Sequence, residues 1–163
     1  MNIGIMADSH DNVQMIHHAV ERLEAEGAEC LIHAGDFIAP FAVKAILRFN
    51  GRVYGCFGNN DGEKHGISQL WPDVAEPPVS LNVGGLDILL THDIAAINRT
   101  PQAAKAADVV IYGHSHSAAI EEVETDNRTQ LRINPGETGG WLRARPTVAI
   151  LDTDTRQARI VEL

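Results

Sequence analysis

Length, composition and charge exclude several classes of protein. The 163 residues, 44% of them hydrophobic, are enough for the buried core of one compact domain over residues 1–163. With 13 Lys and Arg against 22 Asp and Glu, the formal net charge is -9, which argues against a surface that coats nucleic acid. No apolar run approaches the roughly 20 residues of a membrane span, so we expect no membrane association.

The first half of the chain alternates short strands with amphipathic helices. Asn2–Met6 is apolar and predicts a strand, and apolar residues at helical spacing over Val13–Leu23 predict a helix that stops at Gly27. The same pattern then predicts strand Cys30–His33, helix Pro40–Phe49 and strand Arg52–Phe57. Such alternation implies parallel strands joined by right-handed crossovers, which place successive strand ends at one edge of the sheet.

The second half is richer in strands. A short helix, Glu63–Leu70, precedes a proline-rich surface loop, Gly84-Gly85 predicts a hairpin, Pro101 begins a helix through Ala107, and Asp126-Asn127 predicts a turn. The predicted strands are Val79–Val83, Leu86–Thr91, Val109–Tyr112, Ala118–Glu124, Gln130–Ile133, Thr147–Asp152 and Ala158–Leu163. We therefore expect an α/β fold in which helices flank a central pair of sheets.

The start of the chain and its cysteines indicate a cellular compartment. The first apolar run is followed at once by Asp8, which leaves no room for a cleavable signal peptide. Cys30 and Cys56 lie in apolar segments without CxxC spacing, which favours two buried thiols over a disulfide or a thiolate metal site. We expect a protein of the reducing cytoplasm.

Short polar clusters follow the apolar runs. Carboxylate, carboxamide and imidazole groups suit Mn, Fe, Ni, Co or Zn, and a metal pair can activate water and hold a phosphoryl group. Each cluster alone has a structural explanation, such as helix capping by Asp36 or a tight turn at Asn59-Asn60. The five clusters are Asp8-Ser9-His10, Gly35-Asp36, Gly58-Asn59-Asn60-Asp61, Thr91-His92 and Gly113-His114-Ser115-His116.

The conjunction and order of these clusters resemble the calcineurin-like metallophosphoesterase superfamily, and within it the small YfcE-like phosphodiesterase branch. The late Asn134-Pro135-Gly136 also looks like that branch, and the resemblance covers nearly the whole chain. It implies a four-layer αββα sandwich of two mixed β-sheets flanked by helices. It also implies a phosphodiesterase that hydrolyses a phosphate ester by attack of a metal-bridging hydroxide.

The resemblance also implies a ligand set for two divalent metal ions, for which we favour Mn. Asp36 would bridge the two ions, and His33, three residues earlier, would brace the site from behind. One ion would be bound by Asp8, His10, Asp36 and His116, and the other by Asp36, Asn59, His92 and His114.

Three positions depart from the family pattern. Asn60 stands where many larger members have a histidine thought to assist the leaving group, and an amide cannot deliver a proton. This favours diesters over monoesters. Asp93 and Glu137 stand where Gly and Ser are common, and both add acid that would repel a substrate phosphate or enlist a further charged partner.

Arg143 and Arg145 are candidates for steering phosphate, or belong to a solvated basic loop.

Two other functions remain open. A protein-binding scaffold of the same fold, like the retromer subunit of eukaryotes, is free to lose ligands, whereas this chain keeps all seven positions. A phosphomonoesterase would share the site and differ only in substrate. The expected partner is a small phosphate ester, and a homo-oligomer is compatible with the sequence.

Overall fold

The computed structural model describes residues 1–125, 128–143 and 145–163. The strands in that part are β1 (Asn2–Met6), β2 (Ala28–His33), β3 (Arg52–Gly55), β4 (Val79–Val83), β5 (Leu86–Leu90), β6 (Val109–Ile111), β7 (Ala119–Glu124), β8 (Thr129–Asn134), β9 (Thr147–Asp152) and β10 (Gln157–Glu162). The helices are α1 (Val13–Ala25), α2 (Pro40–Ile46), α3 (Lys64–Leu70), a 3₁₀ helix (Ile94–Arg99) and α4 (Pro101–Ala106).

The strands form two five-stranded mixed sheets. The first has the order β10-β9-β1-β2-β3, and the second has the order β4-β5-β6-β8-β7. In the first sheet β1, β2 and β3 are parallel, and in the second β5, β6 and β8 are parallel. Each sheet therefore contributes three parallel strands whose carboxyl ends lie at one edge.

Alternation along the strands sets the layers of the molecule. Ile3 and Ile5 of β1 point into the core between the two sheets, together with Ile88 and Ile111 of the second sheet. Met6 faces the opposite way and packs among the residues of α1, α2 and α3. The outer face of the second sheet is covered by the 3₁₀ helix and α4. The predicted α/β arrangement of two sheets flanked by helices is thereby confirmed.

Several predicted boundaries were wrong by a few residues. Strand β3 ends at Gly55, and Cys56 makes only an isolated bridge to Ala75. Helix α2 ends at Ile46 because the residues that follow form hydrogen bonds between residues i and i+3, as in a 3₁₀ turn. The Phe49 N–H, for example, donates to the Ile46 carbonyl oxygen at 3.2 Å. The predicted Asp126-Asn127 turn lies outside the described residues.

Local chemistry explains two of the connections. The β4–β5 hairpin turns at Gly84 and Gly85, whose φ angles of 59° and 81° lie where residues with a Cβ are strained. The 3₁₀ helix was not predicted, and it begins where the Asp93 carboxylate accepts from the Ala95 N–H at 2.9 Å. Cys30 and Cys56 are buried free thiols, as predicted. Within the part of the chain that the structure describes, no helix has the length and apolar character needed to span a membrane.

Candidate metal centre

The two triplets of parallel strands deliver every predicted ligand to one edge of the molecule. Loops after β1, β2 and β3 carry Asp8, His10, Asp36 and Asn59, and loops after β5 and β6 carry the three remaining histidines. Contacts between the sheets join these loops directly. The His114 N–H donates to Asp8 Oδ2 at 3.0 Å, and His92 Nδ1 lies 2.7 Å from the Ala34 carbonyl oxygen.

The backbone at this edge is strained. Positive φ angles are rare for residues other than glycine, and they concentrate at functional sites because only a surrounding structure can maintain them. Five of the seven predicted ligands have such angles, namely Asp8, His10, Asp36, His114 and His116. Gly58 is also constrained, since a Cβ at that position would overlap the Asp36 carboxylate.

One cluster of donor atoms is formed by Asp8, His10 and His116. The Nε2 atoms of the two histidines face each other at 3.4 Å, and they lie 3.9 Å and 3.7 Å from Asp8 Oδ1. The two rings are stacked, with centroids 5.0 Å apart and an interplanar angle of 14°. Donor atoms from two sheets thus converge on a small volume between them.

The second cluster is formed around His92. Its Nδ1 can contact the Ala34 carbonyl oxygen favourably only as N–H, so in the neutral ring Nε2 carries a lone pair. That Nε2 faces two oxygens, Asn59 Oδ1 at 3.0 Å and Asp36 Oδ2 at 3.3 Å. The His114 ring stands edge-on beside His92, with centroids 5.1 Å apart.

Both clusters fit a divalent cation. Ligands at about 2.1 Å from an ion lie about 3 to 3.5 Å from one another, which is close to the separations observed here. Lone pairs of His92, Asn59 and Asp36 that face each other without a proton repel, and a cation removes that repulsion. Asp36 joins the clusters, because its Oδ2 is 3.3 Å from His92 Nε2 and 3.8 Å from His10 Nε2.

The two buried carboxylates differ in pKa. Burial raises the pKa of Asp8 to about 6, although the charges of His92 and His116 oppose this. Burial acts in the same direction on Asp36. When the His92 ring is protonated, however, its N–H and its charge, together with two donors from Asn60, outweigh burial and hold the pKa of Asp36 well below the usual range. Asp36 is therefore the carboxylate that the fold keeps ionised.

The Asn60 side chain is turned toward Asp36. Its amide nitrogen donates to Asp36 Oδ2 at 2.7 Å, and its backbone N–H donates to Oδ1 at 2.9 Å. Asn60 therefore orients the carboxylate that joins the two clusters. The contact between the Asn60 side chain and Asp36 could not be predicted from the turn-like sequence around Asn60.

Asp61 is a functional candidate that sequence reasoning passed over. Its buried carboxylate accepts from the N–H groups of Asp36, Ile38 and Gly58, at 3.1, 2.6 and 2.6 Å. It therefore ties the loop after β2 to the loop after β3. The signal was present in the sequence, because Asp61 belongs to the same polar cluster as Asn59, but its position suited an ordinary turn.

His33 lies beneath the loops, fully buried. Its Nδ1 accepts from the Gly35 N–H at 3.2 Å, so Nε2 carries the proton and donates to Ser9 Oγ at 3.0 Å. Burial, followed by the charge of His92, lowers the pKa of His33 to about 3, which keeps the ring neutral. This geometry suits the bracing role that the sequence predicted.

Glu137 follows β8, a sixth parallel strand end. The carboxylate is buried and accepts from the N–H groups of Trp141, Leu142 and Arg143 at 2.7 to 3.0 Å. Burial would raise the pKa of Glu137, but these hydrogen bonds lower it. Its Oε1 lies 3.5 Å from His116 Nδ1, a buried nitrogen without a hydrogen-bond partner in the described part of the chain. The negative charge of Glu137 thus faces N–H groups and a histidine of the protein.

The two candidate arginines lie in different surroundings. Arg143 Nη2 donates to Ser117 Oγ at 3.0 Å, one residue beyond His116. Arg145 is highly exposed and pairs with Glu162 at 3.2 Å. Arg143 is consequently the better placed of the two for contact with a substrate.

Comparisons with known proteins agree with this geometry. The calcineurin-like phosphoesterase superfamily domain matches residues 1–156. A phosphodiesterase of Methanocaldococcus jannaschii is 36% identical over 169 residues, covering 100% of this chain and 99% of that protein. A solved archaeal phosphodiesterase superposes with a TM-score of 0.87 at 35% identity, covering 100% of both chains.

More distant structures share the fold. The phosphoesterase YfcE from E. coli has a TM-score of 0.70 at 19% identity, covering 99% of this chain and 98% of its own. Vps29 of Entamoeba histolytica has a TM-score of 0.69 at 16% identity, covering 100% of this chain and 99% of its own. The family match and the archaeal relatives confirm the resemblance, and the chain belongs to the calcineurin-like phosphoesterase superfamily.

Proposed function

We propose that this protein is a phosphodiesterase that works with two divalent metal ions, and that residues 1–163 act as one domain. The observation that carries the proposal is the convergence of two clusters of donor atoms on the shared carboxylate of Asp36. The first ion would be held by Asp8, His10, Asp36 and His116, and the second by Asp36, Asn59, His92 and His114.

The chain's own residues prepare these positions. Asp36 stays ionised and is oriented by Asn60, and the Ala34 carbonyl selects the His92 tautomer whose Nε2 is free to bind. When bound, a metal pair supplies an activated water and stabilises the charge that develops on the phosphoryl oxygens. We favour Mn among the metals that this mixture of carboxylate, amide and imidazole donors accepts.

The relatives support a phosphodiester substrate. The M. jannaschii protein is named a phosphodiesterase, and it matches this chain over its full length. The scaffold alternative receives less support, because Vps29 is similar only at the level of the fold and this chain retains all seven donor positions. We therefore favour phosphate-ester hydrolysis over partner binding as the function of this protein.

The direct test is metal-dependent turnover. Protein stripped with a chelator should lose activity toward bis(p-nitrophenyl) phosphate, and two equivalents of Mn should restore it. Mass spectrometry measures the metal content of the stripped and reloaded protein, and the rate of p-nitrophenol release measures its activity. A protein that binds no divalent metal and hydrolyses no phosphate ester would contradict the proposal.

Asn60 makes the preference for diesters testable. We expect Asn60→His to raise the rate on an alkyl monoester such as β-glycerophosphate, relative to bis(p-nitrophenyl) phosphate, by at least about tenfold, because an imidazole can protonate the basic alkoxide leaving group and an amide cannot, whereas p-nitrophenolate leaves without a proton. The ratio of kcat/KM for the two substrates is the measurement.

Asn60→Ala is the control for this variant. It also removes the hydrogen bond to Asp36 Oδ2 but adds no acid, so both rates should fall without a change in their ratio. If the wild-type protein already hydrolyses the monoester faster than the diester, the proposed preference is wrong.

A further inference from the structure

The four histidines of the centre form two pairs that lie against different surface features. His10 and His116 are stacked and belong to the first donor cluster. His92 and His114 meet edge to face at the second cluster. The surroundings of each pair are therefore informative about what lies next to a bound phosphoryl group.

The second pair borders a cavity of about 360 Å³. This volume lies in the range of sites for small organic ligands. The cavity reaches Asn59, His92 and His114 on one side, while Phe57, Pro77 and Ala96 supply apolar surface on the other. A substituent attached to a phosphorus atom at the centre can thus continue into this space.

The charged groups at the cavity are mostly engaged with the protein. Lys64 Nζ is 2.7 Å from Glu76 and 5.0 Å above the Phe57 ring, and Asp93 caps the 3₁₀ helix. Arg99 also lines the cavity, and it has no ion-pair partner in the described part of the chain. Its planar guanidinium can stack on a flat ring or bind an anion.

The first pair lies beside an exposed tryptophan. Trp141 is 64% exposed, yet its indole Nε1 donates to the His10 carbonyl at 3.0 Å and its backbone N–H donates to Glu137 at 2.8 Å. The neighbouring Leu142 is 74% exposed. A large aromatic ring that is fixed at two points but left uncovered is suited to stacking against a ligand.

We infer that the metal centre lies between two subsites, each of which takes one organic arm of a phosphodiester. This inference rests on the proposed phosphodiesterase function. One arm enters the cavity beside His92 and His114, and the other packs on Trp141. The substrate class is a diester with two bulky substituents of which at least one is a planar ring, such as an aryl or nucleoside group. A monoester fills only one subsite.

Two variants and two diesters test the inference. Bis(p-nitrophenyl) phosphate has two aryl arms, whereas methyl p-nitrophenyl phosphate has one. We expect Trp141→Ala and Ala96→Leu, which narrows the cavity, each to raise KM for the two-armed diester about tenfold with kcat within twofold. Only one of the two variants should raise KM for the methyl ester.

Further variants separate this inference from structural effects. Trp141→Phe keeps a ring but loses the bond to the His10 carbonyl, so it should retain most of the native KM. Arg99→Ala provides a second change in the cavity wall, and Phe41→Ala is the control, because Phe41 is an exposed aromatic residue on α2.

The outcomes are distinguishable. If native protein fails to hydrolyse bis(p-nitrophenyl) phosphate with any divalent metal, the proposed function itself is wrong. If it turns over normally but neither Trp141→Ala nor Ala96→Leu changes KM, or both change KM equally for the two diesters, the two subsites are overturned and the function stands.

Discussion

Replacing Asp36 with asparagine is expected to lower kcat/KM for bis(p-nitrophenyl) phosphate by about 10³-fold or more. The Asp36 carboxylate contacts both donor clusters, and the surrounding donors keep it ionised. Charge stabilisation by a metal pair contributes several kcal/mol to a phosphoryl-transfer transition state, and each 1.4 kcal/mol is about tenfold in rate. Asparagine keeps the size of the side chain and removes its charge.

The same variant should also change metal binding. The Mn stoichiometry from titration calorimetry should fall below the native value, since a neutral amide cannot offset the repulsion between two cations. Asp73→Asn is the matched control, because it removes the charge of an exposed aspartate in the loop after α3. Activity within tenfold of the native protein in Asp36→Asn would contradict the shared-ligand assignment.

The architecture could be predicted because hydrophobic periodicity is a local property. Val13–Leu23 repeats every three to four residues and the opening strand is continuously apolar, so the order of strands and helices was visible. Right-handed crossovers then placed strand ends at one edge. The errors fell where tertiary contacts decide, as after Gly55, where Cys56 makes only an isolated bridge to Ala75.

The candidate site was predictable as a set of donors but not as a geometry. The motifs around Asp8 and His114 identify residue types, whereas the contact of His92 Nδ1 with the Ala34 carbonyl depends on how two sheets meet. The same holds for Asn60, which folds back on Asp36 through a turn that has no periodic signature. Ligand roles for these residues remain predictions.

Glu137 shows most clearly what a sequence leaves out. Its extra negative charge suggested repulsion of a substrate phosphate, but three N–H groups and the His116 ring surround the carboxylate. Two residues later, Gly139 passes so close to the backbone of Ser9 that a Cβ there would lie 2.8 Å from the Ser9 carbonyl oxygen. A close approach between residues far apart in the chain leaves no local pattern.

Glu137→Gln should therefore weaken metal binding at the ion held by His116. A carboxylate near Nδ1 favours the tautomer in which Nε2 is the ligand atom, and loss of such a partner typically costs 10- to 100-fold in metal affinity. Glutamine also places N–H groups against the backbone donors of residues 141–143, which disfavours the native loop. We expect one of two Mn sites to lose 10- to 100-fold in affinity while the other is unchanged.

Calorimetric titration with Mn separates this positioning role from a purely structural one. Excess Mn should restore turnover in Glu137→Gln, because the variant weakens a site rather than removing a ligand. Glu137→Asp keeps the charge and should bind the weakened ion more tightly than the glutamine variant does. A fall in melting temperature with two native affinities for Mn would show that Glu137 only holds the loop. Recovery by aspartate and by metal together would show instead that the carboxylate acts through His116.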